Sequence, residues 1–390
     1  MKQSHHYLSR SVDSLAPSGI RKFFDLANSL EGVISLGVGE PDFVTSWGVR
    51  EAAIASLEKG YTSYTANAGL VELRTEISHY IEDRFKVAYD VNEEIIVTVG
   101  ASQALDLAFR SILNPGDEVI IVEPSFVSYA PLVTLAGGTP VRIDAKAENE
   151  FVMQPDQLRE AITEKTKAIL LCSPNNPTGT VMKKEHYEGL LPIIQEEDLL
   201  VISDEIYAEL VYDEEHICFS ALPDMRERTI LINGFSKGFA MTGWRLGFVC
   251  APPFLTQAML KIHQYSMMCA PTSAQFGAIA ALSEGMREVA EMKKSYRQRR
   301  NYFVSACNEM GLSCHLPGGA FYSFPSIKST GLSSEEFAQR LLVEEKVAVV
   351  PGHVFGESGE GHIRCSYASS LSQLQEAVKR MKRFMERTRS

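Results

Sequence analysis

Long apolar runs are missing from this chain. Nowhere in its 390 residues do about 18 consecutive apolar residues occur, the least a bilayer-crossing helix needs. The opening MKQSHHYLSRSVDSL has no apolar core of the kind a secretion signal carries. Excess positive charge is missing too. Lys and Arg total 38 against 49 Asp and Glu, a net charge of −11 at pH 7, so neither nucleic acid nor an anionic membrane surface is expected as a partner. The basic run Lys293 to Arg300 has Glu284, Glu288 and Glu291 beside it and reads as a solvated helix face. The seven cysteines are odd in number and scattered, with neither CxxC nor Cys/His spacing, which argues against a disulfide framework and a zinc site. Most sit in apolar runs as buried thiols, and a reducing cytoplasm is the expected compartment. No GxGxxG follows an apolar strand and no GxxxxGK[ST] loop occurs, which removes the usual nicotinamide and nucleotide sites. Repeats, low-complexity tracts and flexible linkers are likewise absent.

What is present is an ordinary globular composition, 45% hydrophobic and 22% charged, long enough for two domains. From Glu94 to Ala251, short β-rich runs alternate with helical patterns: EIIVTV, DEVIIVEP, TPVRID, KAILLCSP, LLVISDE, RTILIN and RLGFVCAP. Such alternation predicts an α/β fold, a mostly parallel sheet with helices on both faces. Beyond Pro253 helical segments run to about Met310, with Gly311 as a stop. Strand-like AFYSF, a helix opening at Ser333 with Glu336 placed for a capping box, VAVVPG, HIRCSYA and a helix from Leu371 to Arg387 follow. These read as a smaller α+β domain, with a helix from Ile20 to Leu30 and a strand from Val33 to Leu36 packed nearby. The expected division is 46–285 for the large domain and 1–45 with 286–390 for the small one.

The chemistry concentrates in ILINGFSKGFAMTGWRLGF, residues 230–248, which sets Ser236, Lys237 and Arg245 around a glycine-rich turn between two apolar strands. Ser236 and Arg245 can grip a phosphate while the Lys237 amine condenses with a carbonyl on the same ligand. Open α/β sheets bind ligands beyond the carboxyl ends of their strands, and other strand ends carry matching groups. Gly100-Ala101-Ser102 opens a helix whose free N–H groups suit a phosphate. The turn SPNNPTG offers Asn176 as a donor to a phenolic oxygen. Asp204 and Tyr207 lie in SDEIY, and a buried carboxylate there would need a cation such as a pyridinium nitrogen. Arg364 in HIRCSYA shares one strand face with His362 and Ser366 and can clamp a carboxylate with paired hydrogen bonds. Each feature has a plainer reading alone: a strand-helix turn, an Asn-Pro turn, a helix cap, a surface ion pair. Together they supply what one cofactor, pyridoxal phosphate, requires.

With those motifs the chain resembles the class I, fold-type I pyridoxal-phosphate aminotransferases, in the subgroup of aspartate, aromatic and alanine aminotransferases, over nearly its whole length. The resemblance implies that Lys237 is the Schiff-base lysine and that Asp204 pairs with the pyridine nitrogen. It implies that Asn176 and Tyr207 bond the phenolic oxygen, and that Gly100, Ala101, Ser102, Ser236 and Arg245 hold the phosphate. Phe126 in EPSFVSY would stack on the ring, where several relatives have Trp or Tyr. Tyr64 in YTSYTANAGLVELR would reach the phosphate of a neighbouring subunit, implying a homodimer with shared active sites. Arg364, Asn176 and the backbone at Gly39 in LGVGEPDF would bind the substrate carboxylate. Gly238-Phe239 after the lysine departs from the Thr-Tyr or Ser-Phe of many relatives and removes no required group.

The implied activity is ping-pong transfer of an amino group between an L-amino acid and a 2-oxo acid, with Lys237 moving the proton as base and acid. A carbon–sulfur β-lyase shares Cα deprotonation and is the alternative. A serine hydrolase, from the match of Gly234-Phe235-Ser236-Lys237-Gly238 to GxSxG, is a remote one, because a nucleophile elbow leads into a helix and this segment leads to a strand. A non-catalytic binding protein would not need every catalytic group. The donor is not named by any motif. Arg21 and Lys22 could meet an acidic side chain but better suit solvated charges opening a helix, and 2-oxoglutarate is the family's habitual acceptor.

Overall fold

The computed structural model describes residues 7–17, 19 and 30–389. The helix expected from Ile20 falls outside them, as do Arg21 and Lys22. The strands are β1 (Ile34–Ser35), β2 (Ile95–Thr98), β3 (Glu118–Glu123), β4 (Thr139–Asp144), β5 (Thr166–Cys172), β6 (Leu200–Asp204), β7 (Thr229–Gly234), β8 (Gly247–Cys250), β9 (Tyr322–Ser323), β10 (Val347–Ala348), β11 (Val350–Pro351) and β12 (Ile363–Ser366).

The apolar runs between Glu94 and Ala251 all enter one seven-stranded sheet, ordered β2-β8-β7-β6-β5-β3-β4. The continuous hydrophobicity of all but β4 follows from burial on both faces. Ile96, Val119, Ile121, Leu170, Ile202, Ile230 and Val249 share one core with the helices Gly100–Ile112 and Pro253–Ser266. Their neighbours one residue along turn to the other side: Ile95, Val97, Leu231 and Phe248 pack with helices Val71–Phe85 and Thr272–Glu284, and Ile120, Ile169, Leu171 and Val201 with helix Lys184–Glu196. Each fully buried side chain of this size contributes about 1.5–3 kcal/mol. β4 lies at an edge, and its exposed Thr139, Arg142 and Asp144, with Pro140 on the strand, keep that edge from further pairing.

β8 runs antiparallel to both its neighbours, whereas β4, β3, β5, β6 and β7 pair in parallel. The connection from β7, residues 235–246, contains no α-helix to carry a crossover, so the chain turns back on itself. This reversal places Arg245, just before β8 begins, at the same sheet edge as the residues that follow β2, β5, β6 and β7.

Two smaller sheets lie beside the large one: β1 paired with β10, and β11-β12-β9. The run VAVVPG, expected as one strand, is divided at Val349, because β10 pairs with β1 while β11 pairs with β12. Helix Met286–Glu309 stops before Gly311 as its glycine suggests, and the Ser333 hydroxyl accepts the Glu336 N–H at 3.2 Å to cap helix Ser334–Glu345. Leu374, Ala377, Val378, Met381 and Phe384 of helix Leu371–Arg389 recur at helical spacing and pack on Phe337 and Leu341.

The basic run departs from its expected solvated character at one end. Arg300, four residues after buried Tyr296, is itself 2% exposed, donates to Asp213 at 2.6 Å and to the Pro317 carbonyl at 2.8 Å, and lies over the Tyr212 ring. Helical periodicity turns that end of the run inward, and the buried guanidinium is compensated by a carboxylate and a carbonyl.

Candidate active site

A cavity of about 830 Å³ opens at the carboxyl edge of the large sheet. Of the residues singled out from sequence, Gly39, Ala101, Ser102, Phe126, Asn176, Asp204, Tyr207, Ser236, Lys237, Arg245 and Arg364 line it. Gly100 stands just behind the lining. It has φ +75°, and a methyl group added there would sit 2.7 Å from the Arg245 guanidinium, so the turn needs glycine for both backbone and space. Tyr64 is outside the cavity and 78% exposed.

Lys237 sits in the turn after β7, and its Nζ donates to the Gly39 carbonyl at 2.5 Å. Its amine is pulled down to about 8. Burial is the main cause, Arg364 and Arg245 add to it, and Glu40 and Asp204 oppose. Asp204, at the end of β6, is 4% exposed. Its Oδ2 accepts the Tyr129 hydroxyl at 2.7 Å and its Oδ1 the Ile206 N–H at 3.2 Å. Burial pushes the carboxyl up to about 6 against those hydrogen bonds. Among the described residues no cation forms an ion pair with it.

Arg364 on β12 is buried. Nη1 donates to Asn176 Oδ1 at 2.9 Å and Nη2 to the Gly37 carbonyl at 2.7 Å, and the guanidinium lies 4.5 Å from the Tyr322 ring centre. Its Nε finds no partner among the described residues. Backbone support from the LGVG segment is therefore split: Gly37 holds Arg364, and Gly39 holds Lys237. The Tyr207 and Tyr322 hydroxyls pair at 3.0 Å, and burial with that neighbour holds Tyr207 well above the ordinary phenol range.

Sequence reasoning missed Tyr129, Tyr322, Glu40 and Thr242, which also line the cavity. Tyr129 opens the helix Tyr129–Leu135 three residues after Phe126, and the rings meet edge to face at 5.6 Å. The signal for it was the aromatic pair in SFVSY. Thr242 donates to Glu40 at 3.0 Å, tying the turn after Lys237 to the GEPDF segment.

These residues fit pyridoxal phosphate. A buried carboxylate facing a cavity without a cation suits a protonated ring nitrogen. The opening turn of helix Gly100–Ile112, with Ser236 and Arg245 beside it, suits a phosphate. A buried amine with lowered pKa suits condensation with an aldehyde. Ser236 is followed by turns, one of them the 3-10 turn Thr242–Trp244, and then β8 rather than by an α-helix, so it does not form a hydrolase elbow.

The sequence model of the family "Aminotransferase class I and II" matches residues 31–381. A Bacillus subtilis (strain 168) protein provisionally named an aminotransferase, YugH, is 64% identical over 382 residues, covering 98% of this chain and 99% of its own. The aspartate aminotransferase of Pyrococcus abyssi is 47% identical over 381 residues, 97% of this chain and 98% of its own. The crystal structure of an aromatic aminotransferase from Pyrococcus horikoshii superposes with a TM-score of 0.90 at 44% identity, covering 94% of this chain and 99% of that one. The cavity chemistry and these likenesses agree, and the chain belongs to the class I and II aminotransferases, the pyridoxal-phosphate-dependent transaminases of fold type I.

Proposed function

We propose the following division of labour in transfer of an amino group between an L-amino acid and a 2-oxo acid. When bound, pyridoxal phosphate supplies an aldehyde carbon that exchanges the amino group and a ring that draws electrons from the substrate Cα. Ala101, Ser102, Ser236 and Arg245, with the turn at Gly100, hold the phosphate. Asp204, oriented by Tyr129, keeps a proton at the ring nitrogen, Asn176 and Tyr207 bond the phenolic oxygen, and Phe126 covers one ring face. Arg364 receives the substrate α-carboxylate, for which its Nε, unpartnered among the described residues, and its buried setting are suited. Lys237 Nζ takes the proton from the substrate Cα and delivers it to the former aldehyde carbon within the same half-reaction, and makes the reverse transfer for the 2-oxo acid, a task matched to an amine lowered to about 8.

The observation that carries this reading is the shared cavity: an amine lowered to about 8, a buried carboxyl raised to about 6, and a buried arginine. The test is the visible spectrum of the holoenzyme as single amino acids are added. Conversion of the bound cofactor by a donor, reversed by a 2-oxo acid and lost in Lys237→Ala, is expected. A spectrum indifferent to every donor defeats the reading.

The working unit is a homodimer in which Tyr64 reaches the partner's phosphate. The exposure of Tyr64, and of Trp47, Leu57 and Tyr61 at 49–58%, supports this, because apolar side chains left bare in one chain suit an interface. Light scattering for mass, and weaker cofactor binding in Tyr64→Phe, test it. Residues 46–285 form the large cofactor-binding domain, and 1–45 with 286–390 the small one. The confinement of the seven-stranded sheet to 95–250 supports that division. The setting is the cytoplasm, which accords with cysteines that are all unpaired. No helix among the described residues is long and apolar enough to cross a membrane.

A further inference from the structure

The turn between β2 and helix Gly100–Ile112 has a demanding geometry. Val99 lies past the last paired residue of β2, and Gly100 has φ +75°. The Val99 N–H, with no ladder partner, donates instead to Gln103 Oε1 at 2.6 Å. The Thr98 hydroxyl donates to the Gly100 carbonyl at 3.0 Å, so the turn is braced on both sides. A side-chain amide has two ends, and only one of them can serve an N–H donor. What decides the orientation of Gln103 is its other contact: Gln103 Nε2 lies 2.9 Å from Nδ1 of His263.

His263, on helix Pro253–Ser266, is fully buried, and burial draws its pKa below the usual imidazole value. It is therefore neutral at pH 7. With Gln103 presenting its carbonyl to Val99, the amide must donate to His263, which makes Nδ1 the acceptor and puts the ring proton on Nε2. The His263 backbone is fixed as well, since its carbonyl accepts the Met267 N–H at 2.8 Å and the Met268 N–H at 3.0 Å. Neither Gln103 nor His263 lines the cavity.

The geometry points to His263 as a positioning residue for the cofactor phosphate: its Nδ1 fixes the Gln103 amide, which holds the Val99 N–H and so sets the Gly100–Ser102 turn. This rests on the reading that the turn binds the phosphate. Removing the acceptor lets the amide rotate and leaves the Val99 N–H without a fixed partner. Losing one such hydrogen bond changes an equilibrium by about three- to tenfold.

The test compares the Kd for pyridoxal phosphate, read from visible absorbance and tryptophan fluorescence, in full-length His263→Leu, His263→Asn and His263→Gln. Asn places a carbonyl near the Nδ1 position and Gln near the Nε2 position. The expected result is a Kd raised about three- to tenfold in His263→Leu and His263→Gln and restored to within about twofold in His263→Asn. At saturating cofactor the amino-acid KM is expected to be unchanged. Equal Kd values in the Asn and Gln variants overturn the inference, even where His263→Leu does not fold. Arg245→Gln separates the two levels. If it weakens cofactor binding while the His263 variants do not, only the role of His263 fails; if it leaves the Kd unchanged, the phosphate assignment itself fails.

Discussion

Asp204 is a site residue that should cost the empty protein stability, and Asp204→Asn measures how much. Its carboxyl is raised from 3.8 to about 6 in the folded protein, with burial as the leading cause. Between those two pH values the folded protein binds a proton that the unfolded chain does not. Stability therefore falls as pH rises through that window and stays lower above it. At about 1.36 kcal/mol per pH unit, the interval from 3.8 to about 6 amounts to about 3 kcal/mol. An asparagine is neutral throughout. Its carbonyl can still accept the Ile206 N–H, and its amide can donate to a Tyr129 hydroxyl that rotates to accept.

Urea unfolding of the cofactor-free protein and the variant, at one protein concentration and at steps from pH 4 to pH 8, supplies the assay. Near pH 4 the two should be about equally stable. By pH 7 the variant should be ahead by about 3 kcal/mol. With pyridoxal phosphate present the order should reverse, since the wild type gains a partner for its carboxylate and the variant does not. A stability difference that does not change with pH would refute the reasoning, because it would mean that Asp204 titrates alike in the folded and unfolded states.

Tyr129→Phe removes a hydrogen bond that favours the ionised carboxylate, so Asp204 should titrate above 6 and kcat should fall by about tenfold or more, visible in the pH–rate profile. Arg364→Leu should lower kcat/KM for amino acids by about a hundredfold or more while leaving cofactor Kd unchanged, by steady-state kinetics and titration. In the cofactor-free protein, isotope-labelled methylation should show Lys237 titrating near 8, with Glu40→Gln moving it down and Arg364→Leu moving it up, as loss of a nearby anion or cation requires.

The large sheet was legible because strands buried on both faces must be apolar throughout, and the runs EIIVTV through RLGFVCAP carry that mark apart from TPVRID, whose Arg142 and Asp144 belong to the exposed edge strand. The site was legible for a related reason. In parallel strands the residue after each run falls on one edge, so Gly100, Asn176, Asp204 and Lys237 converge without any knowledge of side-chain packing. The antiparallel course of β8, which the strand pattern left unassigned, has its reason in the stretch 235–246, which holds no α-helix to span a parallel crossover. Short strands left no such mark. β1, β9, β10 and β11 are two residues each, too short for a period, and VAVVPG changes partners within a run that reads as continuous.

Residues that act on other residues were the least legible. Tyr129 and Asp204 are 75 positions apart, Tyr207 and Tyr322 are 115 apart, and Gln103 and His263 are 160 apart. Beyond its pairing with Phe126 in SFVSY, nothing local distinguishes Tyr129 from any tyrosine that opens a helix, or His263 from a core histidine. A group that touches the ligand is constrained by ligand chemistry, which recurs as a motif. A group that orients it is constrained only by the shape of its neighbours, and many residue types can meet that demand. Comparison of His263→Asn with His263→Gln therefore bears on more than one residue. If only the variant that keeps an acceptor at Nδ1 holds the cofactor normally, a contact between helices far apart in sequence governs a site whose own motif gives no sign of it.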